Sequence, residues 1–298
     1  MKKLFFVSVL LTAVLVSHAQ LKMTPKLDKG TTKVYVAQTT TTAPGQADIH
    51  ANFESKYTIT GKKGDGYQLE YIASNFKSDA ASDNLPAQML TAGDALMNGL
   101  LIKLTMDKDG QLTSLDNYAD LKAKIDKTGG DLVDKLFEKV PMLSQMMQKD
   151  ALKQQFLSFA TEENILNSLK NTASPLSLNG KTLTTGMQES YTNDQGLKMK
   201  RMYFVNGQSV TSNASLDMSK DDLKNFIIKT VEKTVPQQAD MIKENIDQLM
   251  NSGMLKIDVK ETVTYEIGAD GWVKSMNVEN NNNIMGQGVK TTAVITCK

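Results

Sequence analysis

The feature of this sequence that most restricts its fold is a strict alternation of apolar and polar residues. The clearest example runs from Leu255 to Ile267, where apolar side chains recur at every second position and only Glu261 interrupts them. Side chains on a β-strand point to opposite faces in turn, so the pattern predicts a strand with one buried face. At about 3.3 Å per residue this segment spans roughly 43 Å, and a strand of that length has to twist and curve.

Short glycine-containing turns separate the alternating segments. Glycine accepts a positive φ at little cost, which tight hairpin turns require. One-sided alternation with tight turns is typical of antiparallel pairing, so we predict about eleven antiparallel strands. The turn signals are GKKGDG at 61–66, DKDG at 107–110, NDQG at 193–196, NG at 206–207 and GADG at 268–271. The asparagine run at 280–283 together with Gly286 and Gly288 is also predicted to be a hairpin tip.

Two stretches, 116–171 and 219–251, depart from this rhythm. Their apolar residues recur with a period near 3.6, which predicts helices. The predicted fold class is therefore α+β. We expect a large curved antiparallel sheet in the form of an unclosed barrel, with these two inserted helical segments packed on its concave face.

Local signals predict where the helices begin and end. In the first segment, Gly129–Gly130, Pro141 and Thr161 divide the pattern into about four helices, because glycine and proline end helices and threonine caps them. In the second segment, Ser219 with Asp222 three residues later resembles a capping box, with aspartate in place of the usual glutamate.

Two parts of the chain resemble each other. SLDNYADLKAKIDKT at 114–128 and SLDMSKDDLKNFIIKT at 215–230 share S-L-D, D-L-K, I and K-T with one inserted residue. Each follows a predicted hairpin and leads into a helical segment. The match predicts two related halves, each built of hairpins followed by helices, and chance similarity is the alternative.

The first nineteen residues, MKKLFFVSVLLTAVLVSHA, combine two lysines, an apolar run and small residues at Ser17 and Ala19. This pattern is typical of a secretory signal peptide, and the apolar run is shorter than the roughly 20 residues that span a bilayer. We expect cleavage after Ala19 and one β-rich domain over residues 20–298. No cysteine follows the apolar run, so we expect a periplasmic or secreted protein without a lipid anchor.

Charge composition argues against nucleic-acid binding. The 34 Lys and Arg residues include Lys2 and Lys3 of the signal peptide and face 33 Asp and Glu, so the mature chain has a formal net charge of −1. Nucleic-acid binding calls for a strongly basic surface. Arg201 is the only arginine, so bidentate clamps on phosphate or carboxylate groups cannot be numerous.

Residues that build catalytic and metal sites are scarce. Outside the signal peptide the chain has one histidine, His50, and one cysteine, Cys297, so we expect neither a zinc site nor a histidine-based triad. DKDG at 107–110 starts like a calcium loop, but its glycine comes too early and a β-turn is the better interpretation. We expect no metal, no cofactor and no enzymatic activity; a hydrolase with two distant carboxylates stays open.

Methionine is the one positive signal for a binding site. Its flexible, polarisable side chain suits a surface that accepts apolar ligands of varied shape, and plain core packing is the alternative. Several of the 17 methionines lie in or beside the helical segments. The candidate ligand-binding residues are Met142, Met146, Met147, Phe156, Phe159, Phe226, Met241, Met250 and Tyr265.

The predicted arrangement resembles a known family. About eleven antiparallel strands, inserted helices, an export signal and a Met-rich helical face are similar to the bacterial lipoprotein carriers, in which helices cover the apolar cavity of an unclosed barrel. LDKGTTKVYVAQTTTT at 27–42 and DGQLTSLDN at 109–117 also resemble uncharacterised secreted proteins of Bacteroidetes. The first resemblance implies binding of a lipid or acyl chain between sheet and helices. The alternative is an envelope structural or interaction module with a filled core and a protein partner.

Overall fold

The structure, a computed structural model, describes residues 20–81, 96–139, 141, 144, 148–171, 173–193, 196–234, 239–252, 255, 257–284 and 287–298. The predicted signal peptide lies outside these ranges. The strands are β1 (Gln20–Lys22), β2 (Thr32–Thr42), β3 (Ile49–Lys63), β4 (Gly66–Ser78), β5 (Leu101–Met106), β6 (Leu112–Leu115), β7 (Thr182–Thr184), β8 (Gln188–Thr192), β9 (Lys198–Asn206), β10 (Ser209–Leu216), β11 (Ile257–Ile267), β12 (Val273–Ile284) and β13 (Gln287–Cys297). The helices are α1 (Tyr118–Lys139), α2 (Lys149–Phe159), α3 (Glu162–Asn171), α4 (Lys220–Thr234) and α5 (Ala239–Asn251).

Eleven strands form one curved antiparallel sheet, which confirms the predicted α+β class. The strand order is β6-β5-β4-β3-β2-β13-β12-β11-β10-β9-β8. The sheet is not closed, and β6 and β8 are its edges. Each strand lies beside its neighbour in sequence except at the pair of β2 and β13, which joins the two ends of the chain. β1 and β7 form a separate two-stranded sheet.

Burial alternates along the long strands as the sequence predicted. In β11, Val263 and Tyr265 are buried while Thr262 and Glu266 are exposed. Glu261, the polar residue within the apolar series, is buried as well. The run 280–283, predicted to be a hairpin tip together with Gly286 and Gly288, instead belongs to β12, because it pairs with residues 258–261 of β11 and 288–291 of β13. Gly288 belongs to β13, and Gly286 lies outside the described residues.

The first helical segment packs against the sheet. Leu121 and Ile125 of α1 and Ile165 and Leu169 of α3 share a buried cluster with Ile102 of β5. α3 also contacts both edge strands, β6 and β8. It therefore lies across the gap where the sheet stays open.

The predicted break at Gly129–Gly130 is wrong, because α1 continues through both glycines. α2 packs closely against α1 at this point. A Cβ atom on Gly129 would lie 3.4 Å from a methyl carbon of Leu157, and one on Gly130 would lie 3.2 Å from Nζ of Lys153. The first distance is an ordinary packing contact and the second involves the flexible end of a lysine, so the contact between the helices does not itself require glycine at these positions.

The second helical segment packs mainly on itself. Ile227 and Val231 of α4 share a small core with Ile246 of α5. The predicted capping box at its start is confirmed: the backbone N–H of Asp222 donates to Oγ of Ser219 at 3.1 Å, and the Ser219 hydroxyl donates to the Asp222 carboxylate at 2.8 Å. None of the helices in the described part of the chain has the length and apolar character needed to cross a bilayer.

The sheet has a first half, β2–β6, and a second half, β8–β13. A loop of six consecutive buried residues, 174–179, fills the space between these two halves. Leu176 packs in the cluster of the first half, and Leu178 packs in that of the second. Its backbone forms successive turns, in which the N–H of Ser177 donates to Ser174 and the N–H of Asn179 donates to Leu176. The loop thus satisfies part of its own backbone polarity in the core.

Segment 23–27 packs against one end of the sheet. Its Lys26 donates its backbone N–H to the carbonyl oxygen of Asp270 at 2.9 Å and accepts a hydrogen bond from Nε1 of Trp272 at 2.9 Å. Trp272 is 2% exposed, so the chain's one tryptophan packs in the core. The DKDG turn lies at the same end, where Gly110 faces Leu27. The Asp-Gly turns at 109–110 and 270–271 therefore both contact segment 23–27.

Candidate functional site

A partly enclosed apolar pocket of about 170 Å³ lies between the sheet and α3. Strands β3, β4 and β5 form one side, and α3 forms the other. Residues 97 and 98, which precede β5, complete the wall. The lining residues are Phe53, Tyr71, Ala73, Phe76, Met97, Asn98, Ile102, Ile165, Ser168 and Leu169.

A β-bulge shapes the pocket. The pairing of β3 with β4 shifts between Asn52 and Glu54, so that Asn75 and Phe76 together stand opposite Phe53. A bulge inserts one extra residue into a strand, bends it and changes the direction of its side chains. Two phenylalanines therefore line a pocket at a place where the regular alternation of the strands is interrupted.

Asn75 adopts the backbone conformation that this bulge needs. Its φ is 57°, and among the described non-glycine residues it is the one with a positive φ. Asparagine tolerates this left-handed region better than most residues. Its amide Nδ2 also donates to Oε2 of Glu54 at 3.0 Å. The bulge is thus held by both its backbone and its side chain.

Residues 97–99 are attached to β4 by backbone and side-chain hydrogen bonds. The N–H of Gly99 donates to the carbonyl oxygen of Ala73 at 2.7 Å. Oδ1 of Asn98 accepts from the backbone N–H of Phe76 at 3.2 Å. These bonds fix Met97 and Asn98 at the bulge, where they form the wall between β4 and the helix.

Helix α3 presents one face to the pocket. Ile165, Ser168 and Leu169 are three and four residues apart, which places them on the same side of a helix. The helix begins after Thr161, whose Oγ1 accepts from the backbone N–H of Asn164 at 3.2 Å, as the predicted cap requires. This bond fixes the residue at which the helix begins.

A row of tyrosines extends from the pocket into the core. The ring of Tyr71, which lines the pocket, lies 5.0 Å from that of Tyr57, and the ring of Tyr57 lies 5.7 Å from that of Tyr35. Burial and the neighbouring tyrosines raise the pKa of Tyr57 well above its usual value. Tyr57 therefore stays neutral and contributes packing rather than proton transfer.

Glu54 gives the outer side of the bulge a negative charge. Its carboxylate accepts hydrogen bonds from Nζ of Lys298 and from the amide of Asn75. These bonds lower the pKa of Glu54 below its ordinary value. The charge lies on the exposed face of the sheet and leaves the pocket itself apolar.

The predicted ligand-binding residues lie in several different places. Phe226 packs against the cluster of Met199 and Val259, Met250 against the core of α4 and α5, and Tyr265 lies fully buried in the second half of the sheet. Met241 is 59% exposed. The described members do not meet in one cavity, and they do not line the pocket beside α3.

The remaining predicted contacts lie outside what the structure describes. Met142, Met146 and Met147 fall in gaps of the described ranges. Phe156 and Phe159 belong to α2 by their backbone, but their side chains are outside the described part. Binding by any of these nine residues stays a prediction.

A buried ion pair crosses three strands in the second half of the sheet. Nη2 of Arg201 lies 3.1 Å from Oε1 of Glu261, and their side chains are 1% and 8% exposed. Ala214 separates them on β10, and its small side chain leaves room for the guanidinium. The ring of Tyr191 lies 4.2 Å from Cζ of Arg201. This cluster is enclosed by the sheet and has the character of a structural element.

The described residues contain no group of three or more His, Cys, Asp or Glu side chains placed to hold a metal ion. His50 lies on the exposed side of β3, where Nδ1 is 3.1 Å from Oγ1 of Thr40. The pocket beside α3 has the enclosed apolar lining that is typical of sites for small apolar molecules.

Comparison with known proteins gives no family for this chain. No family model and no curated protein matches the sequence. The chain resembles the solved structure of lipovitellin, studied for its lipid–protein interactions, with a TM-score of 0.37 and 8% identity, over 92% of this chain and 25% of that one. It thus spans about a quarter of the length of lipovitellin.

Other solved structures resemble it more weakly. An S-type phycobiliprotein lyase from Guillardia theta has a TM-score of 0.20 and 7% identity over 91% of this chain and 87% of that one. A porin-like protein from Bacteroides uniformis has a TM-score of 0.19 and 9% identity over 93% and 98%. The resemblance to lipoprotein carriers stays a prediction.

Proposed function

We propose that this protein is an exported binding protein that accepts a small apolar group, such as the end of an acyl chain, in the pocket between the β-bulge and α3. The observation that carries the proposal is the pocket of about 170 Å³ with its aromatic and aliphatic lining. An apolar cavity of about 150 Å³ is large enough to bind benzene. The pocket therefore suits one ring or a short alkyl end.

The size of the pocket limits the affinity it can supply. Each buried methylene contributes about 0.8 kcal/mol, so about five methylenes give about 4 kcal/mol, equivalent to a dissociation constant near 1 mM. A longer ligand has to find further contacts outside the pocket, because the loop 174–179 fills the space between the two halves. We expect affinity to rise with chain length and then to level off.

Titration with unbranched fatty acids of increasing length tests the proposal. Ser168→Leu extends a side chain into the pocket, and Asn167→Leu makes the same kind of change one residue earlier on α3, away from the lining. Ligand-observed NMR should show binding to the wild type and to Asn167→Leu and loss of binding in Ser168→Leu. Equal binding by both variants, or no binding at any chain length, would overturn the proposal.

A second function is favoured by the filled interior. Residues 174–179 are buried and connect the cores of the two halves, an arrangement that suits an envelope structural or interaction module. In that case the purified protein should carry no lipid in native mass spectrometry, and cross-linking in cells should capture a specific envelope protein. Co-purifying lipid that Ser168→Leu removes would exclude this alternative.

A further inference from the structure

A second, larger groove lies at one end of the sheet, away from the apolar pocket. Its volume is about 600 Å³, within the range of about 300–1,000 Å³ usual for small-ligand sites. It lies where the ends of β11, β12, β13 and β2 meet. Its lining combines polar side chains of the four strands with the apolar residues Ala43, Pro44 and Val289.

The register of the four strands aligns the polar side chains in a row. Lys260 pairs with Asn281, Asn281 pairs with Lys290, and Lys290 pairs with Thr42. Directly paired residues of antiparallel strands have their side chains on the same face. With about 4.8 Å between strands, the row extends over about 14 Å.

In the next row along the strands, Gly288 leaves part of the groove floor without a side chain. Asn283 pairs with Asp258 on one side and with Gly288 on the other. A Cβ atom on Gly288 would have nothing within 4 Å, so the space above this residue is open. The side chains of Asn283 and Asn281 are exposed beside it, and Nδ2 of Asn281 donates one of its hydrogens to Oε1 of Glu279 at 3.0 Å. Both can donate and accept hydrogen bonds.

The charges within the groove compensate one another. Nζ of Lys260 lies 3.3 Å from the carboxylate of Asp258, and Nζ of Lys290 lies 3.2 Å from that of Glu279. The carboxylates would repel an anionic ligand that approaches the lysines, and the lysines would repel a cationic ligand. A neutral ligand is repelled by neither charge. Its hydroxyl groups can both donate and accept, as the lysines, amides and carboxylates of the groove require.

We propose that this groove binds a neutral oligosaccharide, which lies along the row from Lys260 to Thr42 and is held by hydrogen bonds to the amides of Asn281 and Asn283. The proposal rests on the paired register, the open floor at Gly288 and the compensated charges, and it is independent of the apolar pocket. None of the described residues that line the groove is aromatic, so recognition is by hydrogen bonding rather than stacking.

The test is titration of the full chain with three neutral hexasaccharides, of glucose in α-1,4 and in β-1,4 linkage and of N-acetylglucosamine, and with an anionic hexagalacturonate. The double variant Asn281→Leu, Asn283→Leu removes the amides, and Gly288→Thr fills the floor. Asn277→Leu is the matched control, because Asn277 is exposed on the same face of β12 outside the groove. Thermal unfolding checks that all variants fold.

We expect at least one neutral hexasaccharide to bind with little dependence on salt. The double variant and Gly288→Thr should each weaken binding about tenfold, while Asn277→Leu leaves it unchanged. The proposal is wrong if no neutral hexasaccharide binds, if hexagalacturonate alone binds in a salt-dependent manner, or if Asn277→Leu weakens binding as much as the double variant.

Discussion

The carbonyl oxygen of Thr24 lies 2.5 Å from the point that a Cβ atom would occupy on Gly271. Gly271 also has a φ of 77°, which L side chains rarely adopt. The contact joins segment 23–27 to the turn between β11 and β12. Two separate requirements, close backbone approach and left-handed backbone, therefore restrict this position to glycine.

Gly271→Ala should destabilise the protein by about 2–3 kcal/mol, because both the φ and the close approach oppose a methyl group. Gly64→Ala separates the two effects, since Gly64 has a φ of 60° and nothing within 4 Å of its Cβ position. That control should cost about 1 kcal/mol. Urea unfolding measures both, and equal losses would show that the contact with Thr24 adds nothing.

Asn75→Val should destabilise the bulge, because a β-branched residue fits poorly at a φ of 57°. We expect a loss of about 2 kcal/mol and a shift of the methyl NMR signal of Met97 in the pocket. Asn75→Gly keeps the backbone conformation and should leave that signal nearly unchanged. Asn52→Val, on the opposite strand, is the control; a smaller loss for Asn75→Val than for Asn52→Val contradicts this account.

Arg201→Met should cost about 3–5 kcal/mol, because it leaves the buried carboxylate of Glu261 without its cation. Replacing both residues, as Arg201→Met with Glu261→Leu, removes the uncompensated charge, and stability should largely return. Denaturant unfolding of the two single variants and the double variant measures this coupling. Additive losses would mean that the two side chains act independently.

Asp116 should contribute stability that depends on pH. Partial burial alone would raise its pKa, but hydrogen bonds from Thr105, Ser114 and Lys63 outweigh it and hold the pKa below its ordinary value. The carboxylate's contribution is therefore fully present above its unfolded pKa of about 3.9 and is lost as pH falls through the folded pKa.

Asp116→Asn tests this pH dependence. At pH 7 the variant should be about 1–2 kcal/mol less stable than the wild type. The difference should shrink as the solution is acidified below the unfolded pKa. Urea unfolding at a series of pH values measures it, and a constant difference across the acid range would contradict the assignment.

Local patterns were sufficient to predict most of the sheet. Alternation along segments such as 255–267 depends on the two-residue period of a strand and needs no knowledge of distant residues. The capping box of Ser219 with Asp222 is equally local, and the structure contains it. The two S-L-D segments also form the same hydrogen bond. The backbone N–H of Asp116 donates to the carbonyl oxygen of Lys103 in β5 at 2.7 Å, and that of Asp217 donates to Lys198 in β9 at 2.8 Å.

Features that depend on distant contacts could not be predicted in this way. Residues 174–179 read SPLSLN, which resembles a turn-rich surface loop, yet they are buried because two halves of the sheet enclose them. The bulge at Asn75 interrupts the alternation that predicts the strands. The pocket therefore lies where the sequence pattern for a strand is weakest. The methionine pattern predicted ligand contacts in or beside both helical segments, whereas Met97, which lines the pocket, lies beside β4.

The pairing of β2 with β13 has a consequence for the order of folding. Cys297 lies opposite Tyr35, and Lys298 donates its backbone N–H to Val34. A growing polypeptide cannot complete the middle of its sheet until more than two hundred further residues have been made, and such distant contacts slow folding. Until then, one edge of β2 has no paired strand, and an unpaired edge can pair with other chains.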